Sequence, residues 1–347
     1  MNLNVVLPLC SSLLSFVFFG LLVDQWRERR RSYQAVWALG MLWYALSAGT
    51  EFLGGAFGWS EPLYRAWYLI GATWVAGWLG LGTVLLLSRT RFGYAVAGSL
   101  FLAGLFTALS EAKYHYPGSG VAPGLYFGIA AALAIAVMVD TIRGGNVWPK
   151  LVAVAIVAGT LASAALMALA TLPAPGWVVD PVTHIPTGEL IPGYLRLLTP
   201  LFNVTGAFAL SLGAIFSAYI FMPKRRVIEY SLDRHQRAAS LLANLLLAPV
   251  AVSINLIASL PGAAIALFSR RLNSRVPATI LIAIGGFIPA VTSGMSRFGS
   301  TGSFFVGEFL GVVFLFAGFL ASIEVFAEIR IPFTGVVFRP RRQPEVR

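Results

Sequence analysis

Charge is scarce in this sequence. Asp, Glu, Lys and Arg make up 11% of its 347 residues, against about a quarter in soluble domains, while hydrophobic residues make up 58%. So little charge cannot cover a surface in water, which excludes the two soluble domains that the length would allow. The chain reads as an integral membrane protein. Cysteine is nearly absent: Cys10 stands alone, excluding a disulfide framework and any cysteine-based zinc or iron–sulfur site. Histidine occurs three times, at His115, His184 and His235. None lies within an apolar run, so bis-histidine haem ligation in the bilayer is excluded. There is no P-loop, nucleophile elbow, HExxH or acidic pair for prenyl diphosphates. No soluble basic module with interleaved aromatics is present, which excludes nucleic acid as a partner.

What is present is a series of apolar runs. A spanning helix needs roughly 20 mostly apolar residues, because its N–H and C=O groups must pair with one another where water is absent. Such runs cover 3–23, 33–53, 63–87, 92–110, 121–142, 149–172, 194–222, 276–294 and 303–328. The first lacks a basic n-region and reaches span length, so it is expected to persist as a helix rather than act as a cleaved signal. A tenth run, 239–269, is long for one span, short for two, and interrupted by Pro249 and Pro261. The expected fold is all-α: a polytopic transmembrane bundle of about nine spans plus a cytoplasmic-side re-entrant or interfacial helical hairpin. Its divisions are a seven-helix region 1–222 with the N-terminus outside, a basic loop and broken hairpin 223–275, two final spans within 276–329, and a basic cytoplasmic tail 330–347.

Lys and Arg are retained on the cytoplasmic side of short loops. If 239–269 doubles back, 21 of the 25 basic residues fall inside, and only Arg65, Lys113, Arg196 and Arg297 remain outside. A single crossing lowers the inside number to 14, so the return path is expected. The acids sort the other way. Glu51, Glu61, Glu111, Asp180, Glu189 and Glu308 fall outside, leaving that face at −2 and the inner face at +13, which together make the net charge of +11. The basic balance therefore reports orientation and attraction to an anionic leaflet. The expected partners are the lipid bilayer and either other membrane proteins or a second copy of the chain.

Four constellations are candidates for chemistry. Glu111 and His115 stand four residues apart, hence on one helical face, and with His184, Asp180 and Glu189 they offer oxygen and imidazole ligands for a metal. Within 239–269, Asn244, Ser253 and Asn255 lie beside backbone freed by the two prolines, the setting in which broken helices hold ions or substrate. Glu308, inside the last span, is an intramembrane acid and so a functional candidate, with Arg297 as its expected pairing partner. Trp43, Trp74 and Trp78 lie deep in their spans, where each indole N–H needs an acceptor; they could line a pocket for a lipid, quinone or pigment, or simply pack. The loop 173–193 carries Pro173, Pro175, Pro181, Pro186 and Pro192. It is expected to form a stiff cap with a hairpin near Pro186–Thr187–Gly188, over the mouth of an outward-facing cavity.

Seven helices with the N-terminus outside resemble the topology of microbial rhodopsins. However, the three lysines, Lys113, Lys150 and Lys224, all fall in loops, which excludes covalently bound retinal. Three stretches, Tyr68–Thr73 with Trp78–Gly82, Phe221–Val227 with Tyr230–Asp233, and Ser293–Gly299, resemble a group of uncharacterised bacterial multi-pass membrane proteins. That resemblance implies an all-helical inner-membrane protein, attaches no activity, and carries over no catalytic residue. Three functions stay open: a permease or ligand-binding sensor core handling a small molecule or ion, a non-catalytic accessory subunit of a membrane complex, and an intramembrane metal-dependent enzyme using Glu111, His115 and His184. The identity of any cofactor is left open.

Overall fold

A computed structural model describes residues 3–232, 238–269, 272–273, 275–297, 302–321, 329–330 and 337–338. Ten long helical segments follow one another: α1 (Leu3–Arg29), α2 (Ser32–Phe57), α3 (Glu61–Leu86), α4 (Gly93–Tyr114), α5 (Ala122–Arg143), α6 (Trp148–Leu169), α7 (Gly193–Phe221), α8 (Ala238–Phe268), α9 (Arg275–Arg297) and α10 (Phe304–Ala321). Proline sits in the first turn of α3, α5 and α6, where no donor is lost. Gly144 ends α5 in the left-handed region at φ +70°. Beyond the helices, the described strand pairing is a two-residue antiparallel ladder of Ile329–Arg330 with Val337–Phe338 and one isolated bridge in the α6–α7 loop. Nine of the described helices, all but α2, are long and apolar enough to cross a membrane, and the chain is an all-α polytopic bundle.

Lipid tails are as apolar as leucine, so close packing rather than the hydrophobic effect must hold such helices together. Small residues make that packing. A Cβ on Gly80 would come within 2.6 Å of the Gly206 backbone, and one on Gly206 within 2.1 Å of the Ala76 carbonyl oxygen, so α3 and α7 touch backbone to backbone. Gly82 abuts Trp37 and Gly40 abuts Leu79, setting α2 antiparallel to α3. Phe18 and Trp37 meet Phe319 edge to face at 5.0 and 4.8 Å, which fixes α10 against α1 and α2.

These contacts sort the loops onto two ends. The turn after α1, the α3–α4 loop with Arg89 and Arg91, the α5–α6 loop and the end of α7 share one end, here the basic end. Glu51, Glu61, Glu111 and the 173–193 loop share the other. Val276, at the start of α9, packs with Ala218, Tyr219 and Met222 at the end of α7, and farther along α9 Gly286 faces Leu210 and Ser211. The segment between them thus leaves and returns at the basic end.

The expected hairpin is corrected here. Residues 238–268 form one helix with Pro249 and Pro261 inside it. A proline removes one ladder bond and kinks a helix without necessarily ending it. At 1.5 Å per residue this helix is roughly 46 Å long. Its middle, not its end, is tied to the chain leaving α7, and the seven residues from Phe268 to Arg275 reach at most about 25 Å. Although its length and composition suit a span, α8 does not cross the bundle; it lies against the basic end. The return path expected from the arginines is met by one helix rather than two. In the set of nine apolar helices, α8 also stands where the run 33–53 was expected, since α2 is less apolar yet passes through the bundle beside α1 and α3.

Candidate functional site

The loop between α6 and α7 folds as a small hairpin. Val179 bridges Pro186, the Asp180 amide donates to the Ile185 carbonyl at 2.8 Å, and Thr187 N–H donates to Val178 at 3.2 Å. Its turn lies at 181–184, earlier than the expected 186–188, because Asp180 Oδ1 accepts the amides of Val182 (2.9 Å) and Thr183 (2.7 Å). An aspartate that captures the amides ahead of it closes a turn by itself. Those same amide bonds, Thr183's first, hold the Asp180 carboxyl below the usual carboxylate range. The hairpin is pinned to the bundle: Asn4 Nδ2 donates to the Thr183 carbonyl at 2.6 Å, and the Tyr64 hydroxyl donates to the Thr187 carbonyl.

Beneath it lies a chamber of about 160 Å³, lined by Asn4, Glu51, Gly55, Trp59, His184, Pro186 and Phe305. Glu51 is 1% exposed. Its Oε1 accepts the Trp67 indole N–H at 2.8 Å, while its Oε2 meets no donor. The Glu308 carboxyl, arriving from α10, stands within hydrogen-bonding range of Glu51, and its Oε2 is likewise sealed off without a donor. The Tyr44 hydroxyl anchors this turn of α10 by donating to the Glu308 carbonyl at 2.7 Å. Among the described residues, no Lys, Arg or His pairs with either acid. Two facing carboxyls offer acceptors only, unless one is protonated. Thr187 Oγ1 and Ser303 Oγ, close in sequence to lining residues, are also buried without partners.

A π-helical stretch over Tyr68–Trp74 interrupts α3 directly after Trp67. Such stretches occur frequently at functional sites. Here it directs the Trp67 indole to Glu51 and the Tyr68 hydroxyl to Thr199 Oγ1 at 3.2 Å. A Cβ on Gly71 would fall 2.2 Å from Ser47 Oγ, so glycine is what lets this stretch approach α2.

Other expected sites are placed differently. Glu111 does not combine with His115: it accepts the Tyr116 amide (3.1 Å) and the Ser119 hydroxyl (2.8 Å), and His115 leaves the helix at φ +47°. Among the described residues no three His, Cys, Asp or Glu side chains group to hold a metal; Glu111, His115 and His184 are not brought together, and His184 lines the chamber. Asn255 is fully engaged, accepting the amides of Val227 (2.7 Å) and Ile228 (2.9 Å) and donating to the Ile228 carbonyl at 2.8 Å. It clamps α8 to the chain leaving α7 rather than facing a cavity. Trp74 donates to Ser163 Oγ at 2.9 Å and Trp78 to Thr160 Oγ1 at 3.1 Å, which couples α3 to α6 as packing. The Arg297 side chain lies outside the described residues, as do Glu324 and Glu328.

Glu308 is thus placed beside another acid, Glu51, rather than beside a described basic residue. Glu51 was legible only as an outer-face acid at the end of a span. Its position one and a half turns inside α2 is the signal that set it apart. Compared with family models, curated proteins and solved structures, the chain matches none.

Proposed function

We propose that this protein is a permease or sensor core that takes up a proton or small monovalent cation from outside the cell, with Glu51 and Glu308 as the binding pair. The observation that carries this reading is two buried carboxyls facing each other without a basic partner. A buried acid pair is tolerable only if a proton or cation is shared between them, and an ionisable group inside a membrane bundle is a functional candidate by default. Chamber size narrows the ligand. At about 30 Å³ of liquid volume per water, a space of about 160 Å³ admits a few waters, whereas pockets for larger ligands start near 300 Å³.

The orientation follows the positive-inside rule: the basic end faces the cytoplasm and the chamber faces out. In that frame α8 lies in the inner interface. Its exposed apolar residues, such as Leu246, Val250, Ile257 and Ile265, enter the acyl boundary as they do in other in-plane helices. Flux measurements test the proposal. Proteoliposomes under an imposed pH or sodium gradient should dissipate it with wild-type protein and fall to the empty-vesicle rate with Glu51→Gln or Glu308→Gln. Wild-type vesicles no leakier than empty ones, together with unchanged ion affinity in both variants, would end this reading.

A further inference from the structure

At the opposite end of the bundle, a second cavity of about 380 Å³ lies between the α3–α4 and α5–α6 loops. Its wall is rich in donors: Arg89, Arg91, Ser88, Tyr94 and Asn146 contribute, and among the described residues no acid lines it. Among the described residues the side chains of these five make no hydrogen bond or ion pair, although every other side-chain hydroxyl of these two loops does. Thr90 and Thr141 donate to the Leu87 and Val137 carbonyls. Tyr94 is the decisive one. It is 8% exposed and lines the cavity, yet its phenol has no hydrogen-bond partner among the described residues. Its ring is packed away while its hydroxyl opens into the cavity, where a ligand can reach it.

Asp140, the acid at the end of α5, is already committed. Its Oδ2 accepts the amides of Val147 (2.9 Å) and Trp148 (2.8 Å). It also packs so closely on Gly145 that a Cβ there would fall 2.1 Å from Oδ1. Asp140 therefore shapes the α5–α6 turn, and among the described residues neither arginine is paired with an acid. Such an arrangement accepts an anion. Guanidinium forks match phosphate oxygens two at a time, and a phenol and an amide can complete the shell.

We propose that this cavity binds a phosphate group, held by Arg89 and Arg91 with Tyr94 and Asn146 as supporting donors. The volume exceeds what a bare phosphate needs, so the phosphate carries a substituent. In a bilayer the cavity sits at headgroup level on the basic end, and the phosphate can belong either to a phospholipid or to a soluble phosphomonoester. This inference is independent of the carboxyl pair.

Two probes separate the sources. Purified full-length protein is titrated with glycerol 3-phosphate in neutral detergent, and with phosphatidylglycerol against phosphatidylcholine in nanodiscs, followed by native mass spectrometry and calorimetry. Saturable binding of either probe is expected. It should fall about tenfold or more in Arg89→Gln/Arg91→Gln, since each lost charge-assisted bond is worth about that much, and severalfold in Tyr94→Phe. Arg225→Gln/Arg226→Gln, which removes equal charge from the same end outside the cavity, should bind as wild type does. Binding of glycerol 3-phosphate assigns a soluble ligand, and binding of phosphatidylglycerol alone assigns a headgroup. No saturable binding of either, or equal loss in the two double variants, overturns the proposal. Both arginines are exposed, so the variants should fold, and matching elution and melting profiles check that they do.

Discussion

Replacing Glu308 by Gln separates stability from function at the carboxyl pair. In the native arrangement Glu51 Oε2 is buried with no donor in reach, while Glu51 Oε1 is satisfied by Trp67. A buried polar atom left unpaired costs about 1–3 kcal/mol. Glutamine keeps the shape of Glu308 and brings an N–H to the place where only an acceptor stood. The anchoring bond from Tyr44 goes to the Glu308 backbone and survives the change. At a pH and ion composition where the pair holds neither proton nor cation, Glu308→Gln should therefore raise unfolding stability by about 1–3 kcal/mol, because one orphaned oxygen gains a partner, while proton or cation uptake is lost. Glu51→Ala should do the opposite to stability, since it strands the Trp67 indole N–H. The assay is reversible unfolding in mixed micelles followed by tryptophan fluorescence, paired with the flux measurement. A Glu308→Gln protein that is less stable than wild type by more than about 1 kcal/mol under those ion-free conditions would refute the reasoning, because it would mean that the carboxyl holds a stabilising protein partner.

Three further outcomes are expected. Gly206→Ala forces a Cβ to within 2.1 Å of the Ala76 carbonyl oxygen; neither backbone can yield, so stability should drop by about 1–3 kcal/mol in the same unfolding assay. Asp180 is held below the usual carboxylate range by the Thr183 and Val182 amides, so its contribution to the turn is complete above its unfolded value of about 3.9 and is lost as pH falls through the lower folded value. Amide exchange at Val182 and Thr183 should accelerate only in that acid window, and Asp180→Asn should abolish the pH dependence. Accessibility tags placed after Met222 and after Arg275 should report the same side of the membrane, and tags on opposite sides would show that α8 crosses.

Much of the architecture was legible in local sequence. Runs such as 121–142 and 149–172 matched α5 and α6 almost to the residue, because an apolar stretch must satisfy its own backbone. The basic residues Lys224, Arg225, Arg226 and Arg275 disclosed that the chain returns to its starting end before α9. They did not disclose how it returns. Pro249 and Pro261 read as breaks, yet α8 tolerates both, since a helix lying along the bundle end can bend. The Glu111 and His115 pairing failed for a similar reason: a left-handed residue ended the helix one position too soon, and no helical period survives such a turn.

From its sequence alone this protein is a helical membrane bundle with one basic and one acidic end, because length, apolarity and loop charge act residue by residue along the chain. The meeting of Glu51 with Glu308, and of Arg89 and Arg91 with Tyr94 and Asn146, was decided only by tertiary structure. Each meeting depends on glycine contacts and aromatic edges that set how far one helix slides against another. That displacement is a property of two surfaces at once, and no single stretch of chain carries it.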